Sequence, residues 1–438
     1  MGIDEIALAH ADERDLTQLT EYRAGGGYAT LRKARKMEPA AIIGELVKSN
    51  LRGRGGAGFP MGRKASFLAK GTGKPTYLCV NADESEPGTF KDREIMLRNP
   101  HLLIEGCLIT AHGIESKSVF IYLRGEYLDV FEVMRRALDE ARDARLFGGV
   151  TIVLHRGAGA YICGEESALL ESLEGKRGQP RSRPPFPAVS GLYGSPTLIN
   201  NVQTIATVPP IIEHGGDWYA SIGPETSPGT VVFSLSGNVV RPGNYELELG
   251  TPLRELVYDV GGGIPDGREL KALIPGGSST TVMTPELLDT PLDYNSVAEA
   301  GSQFGAAAVI VIDDRACMVQ FALRSTQFYM HESCGKCTPC REGTRWMTQL
   351  LRKLEDGRAE QSELDLLLSV ADRVMGKCLC ALGDFAAGPV VEYVRAFREE
   401  FQRHIDEGGC PFGGESSLEG VFAPVDQHTH APVAEVPA

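Results

Sequence analysis

The stretch ESCGKCTPCREG, residues 332–343, carries Cys334, Cys337 and Cys340 at a constant spacing of three, with a helix-like run directly behind them. Thiols at i, i+3 and i+6 on one loop can wrap round one face of a cubane iron–sulfur cluster, whose fourth iron then takes a ligand from elsewhere in the chain. The fold must therefore bring a distant segment back to this loop. Two candidates lie 38 and 40 residues past Cys340, Cys378 and Cys380 in MGKCLCALGDF, where Gly376 can end a helix. Cys317 and Cys410 are less well placed. The main competitor is structural zinc, which prefers two separate C-x2-C pairs. Here the first loop already offers three thiols and the second pair is C-x-C, which favours a 4Fe-4S cluster.

Composition narrows the setting. The 438 residues have room for two to four domains, each with its own core. The start, MGIDEIALAHADERDL, lacks the basic and apolar regions of a secretory signal, and no stretch approaches the roughly 18 apolar residues of a membrane span. A cytoplasmic protein is expected, in which ten cysteines are free, buried, catalytic or metal-bound rather than paired. A net charge of -14 argues against nucleic acid and anionic membrane as partners, leaving proteins.

The chain divides by texture. Residues 1–50 read as helical, with Ile42, Ile43, Leu46 and Val47 on one stripe. Over 51–228, strand-like runs (76–81, 118–125, 150–157) alternate with helix-like runs (100–114, 128–145, 165–174, 201–213), the pattern of an α/β domain with a largely parallel sheet. Residues 229–314 read as a small α+β unit: two β-rich runs joined by a Pro-Gly-Asn turn, the short helix TPLRELVYDVGGG and the apolar run ELKALIPGG. Residues 315–410 read as a helical bundle, with Trp346, Leu350, Leu351 and Leu354 on one core face and Val390, Val394, Phe397 and Phe401 on another. Residues 411–438 turn to Gly, Ser, Pro and Ala, a flexible tail in which His428 and His430 are solvated.

Three loops in the α/β region carry chemistry. LRGRGGAGFP fits G-x-G-x-x-G through Gly53, Gly55 and Gly58, but it follows a helix-like segment where a dinucleotide fingerprint follows a strand. It is either a mobile loop or a nest of backbone amides, with Arg54 and Lys64 nearby, that lets a phosphate or flat ring approach closely. Asn81, Asp83, Glu84 and Glu86 follow an apparent strand, at the edge where open α/β sheets bind ligands. HRGAGAYICGEES repeats the arrangement with Glu165 and Glu166 at a helix start, where helix capping alone would also explain them. These carboxylates lack metal spacing and a histidine. No sugar platform supports paired acid–base hydrolysis. Acceptors for ribose, ribityl or nicotinamide groups are the natural reading.

The strings RGRGGAGFP, NADESEPGTFKDR, RGEY, GAGAYICGEE, RPPFPAVSGL, TLINNV, PGGSS and ESCGKCTPCREG, in this order, resemble the NADH-binding flavoprotein subunit of bacterial respiratory NADH:quinone oxidoreductase (complex I). The resemblance covers about residues 20–410. It implies a Rossmann-like FMN domain, a ubiquitin-like (β-grasp) domain and a C-terminal four-helix bundle with a 4Fe-4S cluster. FMN would lie against Gly53, Arg54, Gly55, Lys64, Asn81, Asp83, Glu84, Gly164, Asn200 and Asn201. NADH would stack its adenine among Phe59, Phe67 and Phe186, with Glu86, Glu165 and Glu166 holding its ribose and nicotinamide end and Tyr161 beside the flavin. The cluster ligands map to Cys334, Cys337, Cys340 and Cys380. The implied partners are a thioredoxin-like 2Fe-2S subunit and the large iron–sulfur subunit of the peripheral arm. The complex would hold the chain to the inner face of the cell membrane without direct insertion.

Three positions depart from the pattern: Arg183 where others often have Lys, Ala65 where an aromatic is common, and Cys378 beside the mapped ligand. A rival reading is the diaphorase subunit of a soluble NAD-linked hydrogenase or formate dehydrogenase. Many of these carry an extra thioredoxin-like domain ahead of the flavin domain, for which the residues before Gly53 are too few. A silent binding module is the reading from another class, and the intact glycine loop, phenylalanines and carboxylates count against it.

Overall fold

The computed structural model describes residues 5–413 together with Ser416 and Leu418; His428 and His430, with most of the expected tail, lie outside the described residues. The N-terminal part is helical as expected, with helices Leu19–Ala24, Ala29–Ala34 and Pro39–Lys48. Ile42 and Leu46, one turn apart, are fully buried, whereas Val47 is exposed, so the apolar stripe is narrower than the sequence suggests.

Four strands, β1 (Tyr77–Ala82), β2 (Ser118–Leu123), β3 (Thr151–Arg156) and β4 (Thr197–Asn201), form a parallel sheet in the order β3-β2-β1-β4. Leu78, Cys79 and Val80 are all fully buried, because helices cover both faces and an alternating pattern is not required. The Pro100–Gly113 helix is buried almost all round. Gly106 lets it press on the next layer: a Cβ there would stand 2.1 Å from the Ile205 carbonyl oxygen. β4 escapes a sequence reading because TLINN is short and ends in two asparagines, poor strand formers. Strand order reverses between β1 and β4, which opens a crevice at their carboxyl ends.

A second sheet holds β5 (Thr230–Gly237), β6 (Gly243–Glu248), β7 (Leu270–Ile274) and β8 (Ala308–Asp313) in the order β6-β5-β8-β7, with β5 and β8 parallel and both outer pairs antiparallel. The segment expected as an ordinary short helix is π-helical over Glu255–Val260, and it buries Leu256 and Val257.

The C-terminal region has helices Met318–Glu332, Thr338–Glu355, Gln361–Val374, Leu382–Ala396 and Arg398–Asp406. The final run, expected as one helix, breaks at Phe397, whose backbone leaves the helical region at φ -124°, ψ 36°. Trp346, expected in the core, is 52% exposed, while its neighbour Met347 is fully buried. Period 3.6 sets the centre of an apolar arc, and the packing partner sets its edge. Residues of this bundle share one core with Tyr122, Ile162 and Ile199 of the first unit and Ile274 and Ile312 of the second.

Candidate functional site

A cavity of about 870 Å³ lies where the three regions meet, at the carboxyl ends of β1 and β4. Its wall is built from the glycine loop, the loops after β1 and β3, Asn201 after β4, Thr280 and Phe304 of the second unit, and Cys380, Leu382 and Phe385 of the bundle. Cys380 lines it, and Cys378 does not.

The glycine loop is entered from the Pro39–Lys48 helix and left into the short Met61–Ser66 helix, and it precedes β1. This is not a dinucleotide fingerprint, in which a strand leads into the glycines. The Gly53 carbonyl accepts a hydrogen bond from Tyr294 Oη at 2.7 Å, which ties the loop to the second unit. Gly55 lies against Asn201, whose Cβ would stand 3.0 Å from a Cβ built at Gly55. Arg54 between them is buried. Its Nη2 donates to Tyr219 Oη and the Pro228 carbonyl, both at 2.8 Å, so these partners are neutral. Arg54 Nε and Nη1, Thr89 Oγ1 and Asn200 Nδ2 are buried without any hydrogen bond among the described residues. Leaving a buried guanidinium half-satisfied is costly, and an anion arriving through the cavity would remove that cost.

The acidic residues fall into three environments. Asn81 Nδ2 donates to the Gly164 carbonyl at 2.8 Å, joining the loops after β1 and β3, and its Oδ1 accepts from the Asp83 N–H at 3.1 Å. Burial pushes the Asp83 carboxyl up to about 7, against the opposing pull of Arg124. Glu84 accepts from the backbone N–H groups of Asp92 (2.7 Å) and Arg93 (2.9 Å) and from Tyr127 Oη (3.1 Å), so it braces the start of the Lys91–Arg98 helix. Burial, and then the charge of Asp92, raises its carboxyl to about 7. Glu86 accepts from Tyr161 Oη and the Ser279 N–H, both at 2.7 Å, and burial raises its pKa while these bonds oppose the shift.

At the mouth, Lys64 Nζ stands 2.9 Å from Glu166, and Arg183 bridges Glu165 and Glu166. Glu165 also caps the Glu166–Leu173 helix, accepting from Ser167 and Ala168 N–H groups, as the capping reading expects. Phe59 and Phe67 have ring centroids 6.2 Å apart. They and Phe186 are 45%, 57% and 57% exposed, so their ring faces are open to solvent.

Sequence reasoning missed Lys91, Asp92 and Tyr294. All three line the cavity. Lys91 and Asp92 form a buried ion pair at 2.7 Å, and Asp92 also accepts from Asn201 Nδ2. The motif NADESEPGTFKDR contained this pair, but only the fold sets it against Asn201.

The cysteine loop packs on the α/β unit, with Gln179 Nε2 donating to the Cys334 carbonyl at 3.1 Å and Lys336 Nζ to the Pro180 carbonyl at 2.6 Å. The Leu379 N–H donates to Cys337 Sγ at 3.2 Å, so the 376–381 turn does return to the loop. Tetrahedral zinc holds its sulfurs about 3.8 Å apart. Among the described residues, the loop thiols are not in any set of three or more metal-ligating atoms lying within 4.8 Å of one another.

Residues 46–210 match the Nuo51 FMN-binding domain, 232–282 the SLBB domain and 320–404 the NADH-ubiquinone oxidoreductase-F iron-sulfur binding region. The chain is 53% identical over 415 residues to the F-type NADH-quinone oxidoreductase subunit of Streptomyces coelicolor, covering 93% of this chain and 92% of the relative. It is 52% identical over 428 residues to the same subunit of Mycobacterium tuberculosis H37Rv, covering 94% and 96%. Among solved structures, an NAD+-reducing NiFe-hydrogenase in the H2-reduced state superposes with a TM-score of 0.81 at 34% identity, covering 92% of this chain and 66% of the hydrogenase chain. The match to the two bacterial relatives runs through the sheet, the second unit and the cysteine-bearing helices alike, and on that near-full-length identity the chain belongs to the family of F-type NADH-quinone oxidoreductase subunits.

Proposed function

We propose that this chain is the NADH-oxidising subunit of respiratory complex I, taking hydride from NADH onto FMN and passing single electrons through a 4Fe-4S cluster to partner-subunit clusters and quinone. The observation that carries this reading is the shared cavity, which has an unsatisfied buried Arg54 at the sheet and Cys380 on the bundle wall. A diaphorase subunit of a soluble hydrogenase is the second reading, favoured only by the 34% structural match. The NADH-quinone oxidoreductase relatives are more similar and are covered almost end to end. The chain divides more finely into a Rossmann-like FMN domain over 51–228, a β-grasp over 229–314, and over 315–410 the cluster-bearing bundle, four long helices and one short one. The chain works within a multi-subunit assembly, and a thioredoxin-like 2Fe-2S subunit and a large iron–sulfur subunit are the proposed neighbours. Among the described residues no helix is long and apolar enough to cross a membrane, so attachment would come through the complex.

FMN, when bound, supplies the change from two-electron to one-electron chemistry. The chain's own residues position and enclose. Arg54 Nε and Nη1 and Asn200 Nδ2 are the free donors for phosphate and ribityl oxygens. Tyr161 orients Glu86 through their 2.7 Å hydrogen bond, and Phe59, Phe67 and Phe186 offer stacking faces for adenine. Hydride transfer then depends on placement, with no acid or base at its centre. Gly55→Val presses a branched side chain onto Asn201, whose Cβ would stand only 3.0 Å from the added Cβ. Overpacking of about 1–3 kcal/mol predicts FMN binding weakened about 5-fold to about 150-fold with iron content unchanged. A fully yellow variant would make the loop merely structural.

The decisive experiment is anaerobic titration of the chain, with its 2Fe-2S partner, by NADH and NADPH. NADH is expected to be preferred by about 100-fold in kcat/KM, because a 2′-phosphate would meet Glu86 and Glu166. The four charges of Lys64, Glu166, Arg183 and Glu165 cancel, so Glu166→Gln leaves a net positive mouth and should narrow the preference about ten-fold, or about 1.4 kcal/mol. Equal kcat/KM values in the unmodified protein would exclude this basis of selection.

A further inference from the structure

At the end of the bundle away from the cysteine loop, four ligand-type side chains meet. Cys317 precedes the Met318–Glu332 helix, Glu355 ends the Thr338–Glu355 helix, His404 lies in the Arg398–Asp406 helix and Cys410 follows it. The first two helices form a hairpin whose turn carries the cysteine loop. At about 1.5 Å per residue, the 15-residue helix separates the two ends by about 22 Å. The group is therefore no part of the electron-transfer site.

One ligand atom from each residue lies within 4.8 Å of all the others, and among the described residues no second such group exists. Cys317 Sγ is 3.3 Å from His404 Nε2 and 3.9 Å from Glu355 Oε2, and His404 Nε2 is 3.5 Å from Glu355 Oε2. Tetrahedral zinc, with bonds of about 2.3 Å to sulfur and 2.0–2.2 Å to nitrogen or oxygen, sets its ligand atoms about 3.4–3.8 Å apart. Cys317 and His404 are buried, and the other two are partly so.

The surroundings aim each ligand. His404 Nδ1 donates to the Glu400 carbonyl at 2.8 Å, which leaves Nε2 with its lone pair toward the group. The Gln320 N–H donates to Cys317 Sγ at 3.4 Å, and its side-chain amide donates to Glu355 Oε1 at 2.7 Å and reaches Cys410 Sγ at 3.8 Å. Ser416 Oγ donates to Gln320 Oε1 at 2.8 Å, which fixes that amide in turn. Gln320 thus holds three of the four residues and leaves Glu355 Oε2 free to ligate. Supporting bonds of this kind are what metal ligands ordinarily have.

We propose that Cys317, Glu355, His404 and Cys410 bind one structural zinc ion, which ties the last helix and the segment after it to the start of the bundle. Two thiols and an imidazole suit zinc, and four protein ligands leave no open position for catalysis. On binding, each thiol releases its proton to solvent as its metal–sulfur bond forms, and nothing is oxidised or reduced.

The test uses the full-length chain, purified with FMN, cluster and its partner out of zinc-replete cells. Metal analysis should find about one zinc per chain beside the iron, retained through dialysis against EDTA. Zinc-edge X-ray absorption should show two sulfurs at about 2.3 Å and two nitrogen or oxygen atoms at about 2.0–2.2 Å. His404→Ala and Cys410→Ser should each lose the zinc while keeping iron, flavin and NADH-to-ferricyanide activity. Absence of zinc from the unmodified protein, full zinc in either variant, a shell without two sulfurs, or a Cys317–Cys410 disulfide in peptide maps would overturn the proposal. The absorption spectrum of the unmodified protein decides the question even if both variants misfold.

Discussion

Replacing Cys380 by serine is expected to abolish the EPR signal of the 4Fe-4S cluster and to bring quinone reduction by the assembled complex to background. NADH should still bleach the flavin, and ferricyanide should still be reduced. Three observations lead there. The 376–381 turn touches the cysteine loop through the Leu379 N–H on Cys337 Sγ, and Cys380 lines the cavity. Burial pushes the Cys380 thiol up to about 11, so near neutral pH it becomes a thiolate only when iron supplies the compensating charge. In the proposed reaction hydride transfer would take place at the sheet edge and would need no iron. Cys378→Ser should be nearly silent in the same assays. Its thiol donates to the Val374 carbonyl at 3.5 Å and packs on Gly383, where a Cβ would stand 2.5 Å from the sulfur. Cys378 essential and Cys380 dispensable would reverse the assignment, and zinc in the Cys334 loop would end the electron-transfer reading of the bundle.

Arg54→Met should produce a chain that folds, keeps its iron and loses its flavin. Removing one partner of a buried, hydrogen-bonded charge pair costs about 2–5 kcal/mol, which corresponds to FMN binding weakened about 30-fold to several thousand-fold. Arg54→Lys should fall between, because an ammonium keeps the charge but cannot reproduce a planar fork aimed by Tyr219 and Pro228. Titrating FMN back into flavin-free protein gives the affinities directly, and iron content reports on the fold. Wild-type affinity in Arg54→Met would put the phosphate elsewhere in the cavity.

Much of this architecture is readable before any coordinates, and the omissions have physical causes. TYLCVN, SVFIYL and VTIVLH announce strands through runs of apolar and β-branched residues, whereas TLINN does not, and only pairing with β1 makes it one. Helical periodicity placed Leu350, Leu351 and Leu354 inside but also Trp346, because the edge of an apolar arc depends on the helix packed against it. Glu84 lines the cavity, and only the structure shows that both its oxygens are also engaged at a helix start.

The three thiols of ESCGKCTPCREG follow from the sequence alone, since residues three apart on one short loop cannot be far apart in space. So do the glycine loop and the acidic loops as local motifs. What only the tertiary structure decides is which of them face one another. The reversal of strand order between β1 and β4 opens the crevice, burial leaves Arg54 with two idle donors, and the bundle turns Cys380 toward the cavity and Cys378 away from it. Cys317 and Cys410, 93 residues apart in the chain, meet only because apolar faces shared among five helices bring their ends together. Local spacing is set by backbone geometry, but convergence over such distances is set by what the core must bury.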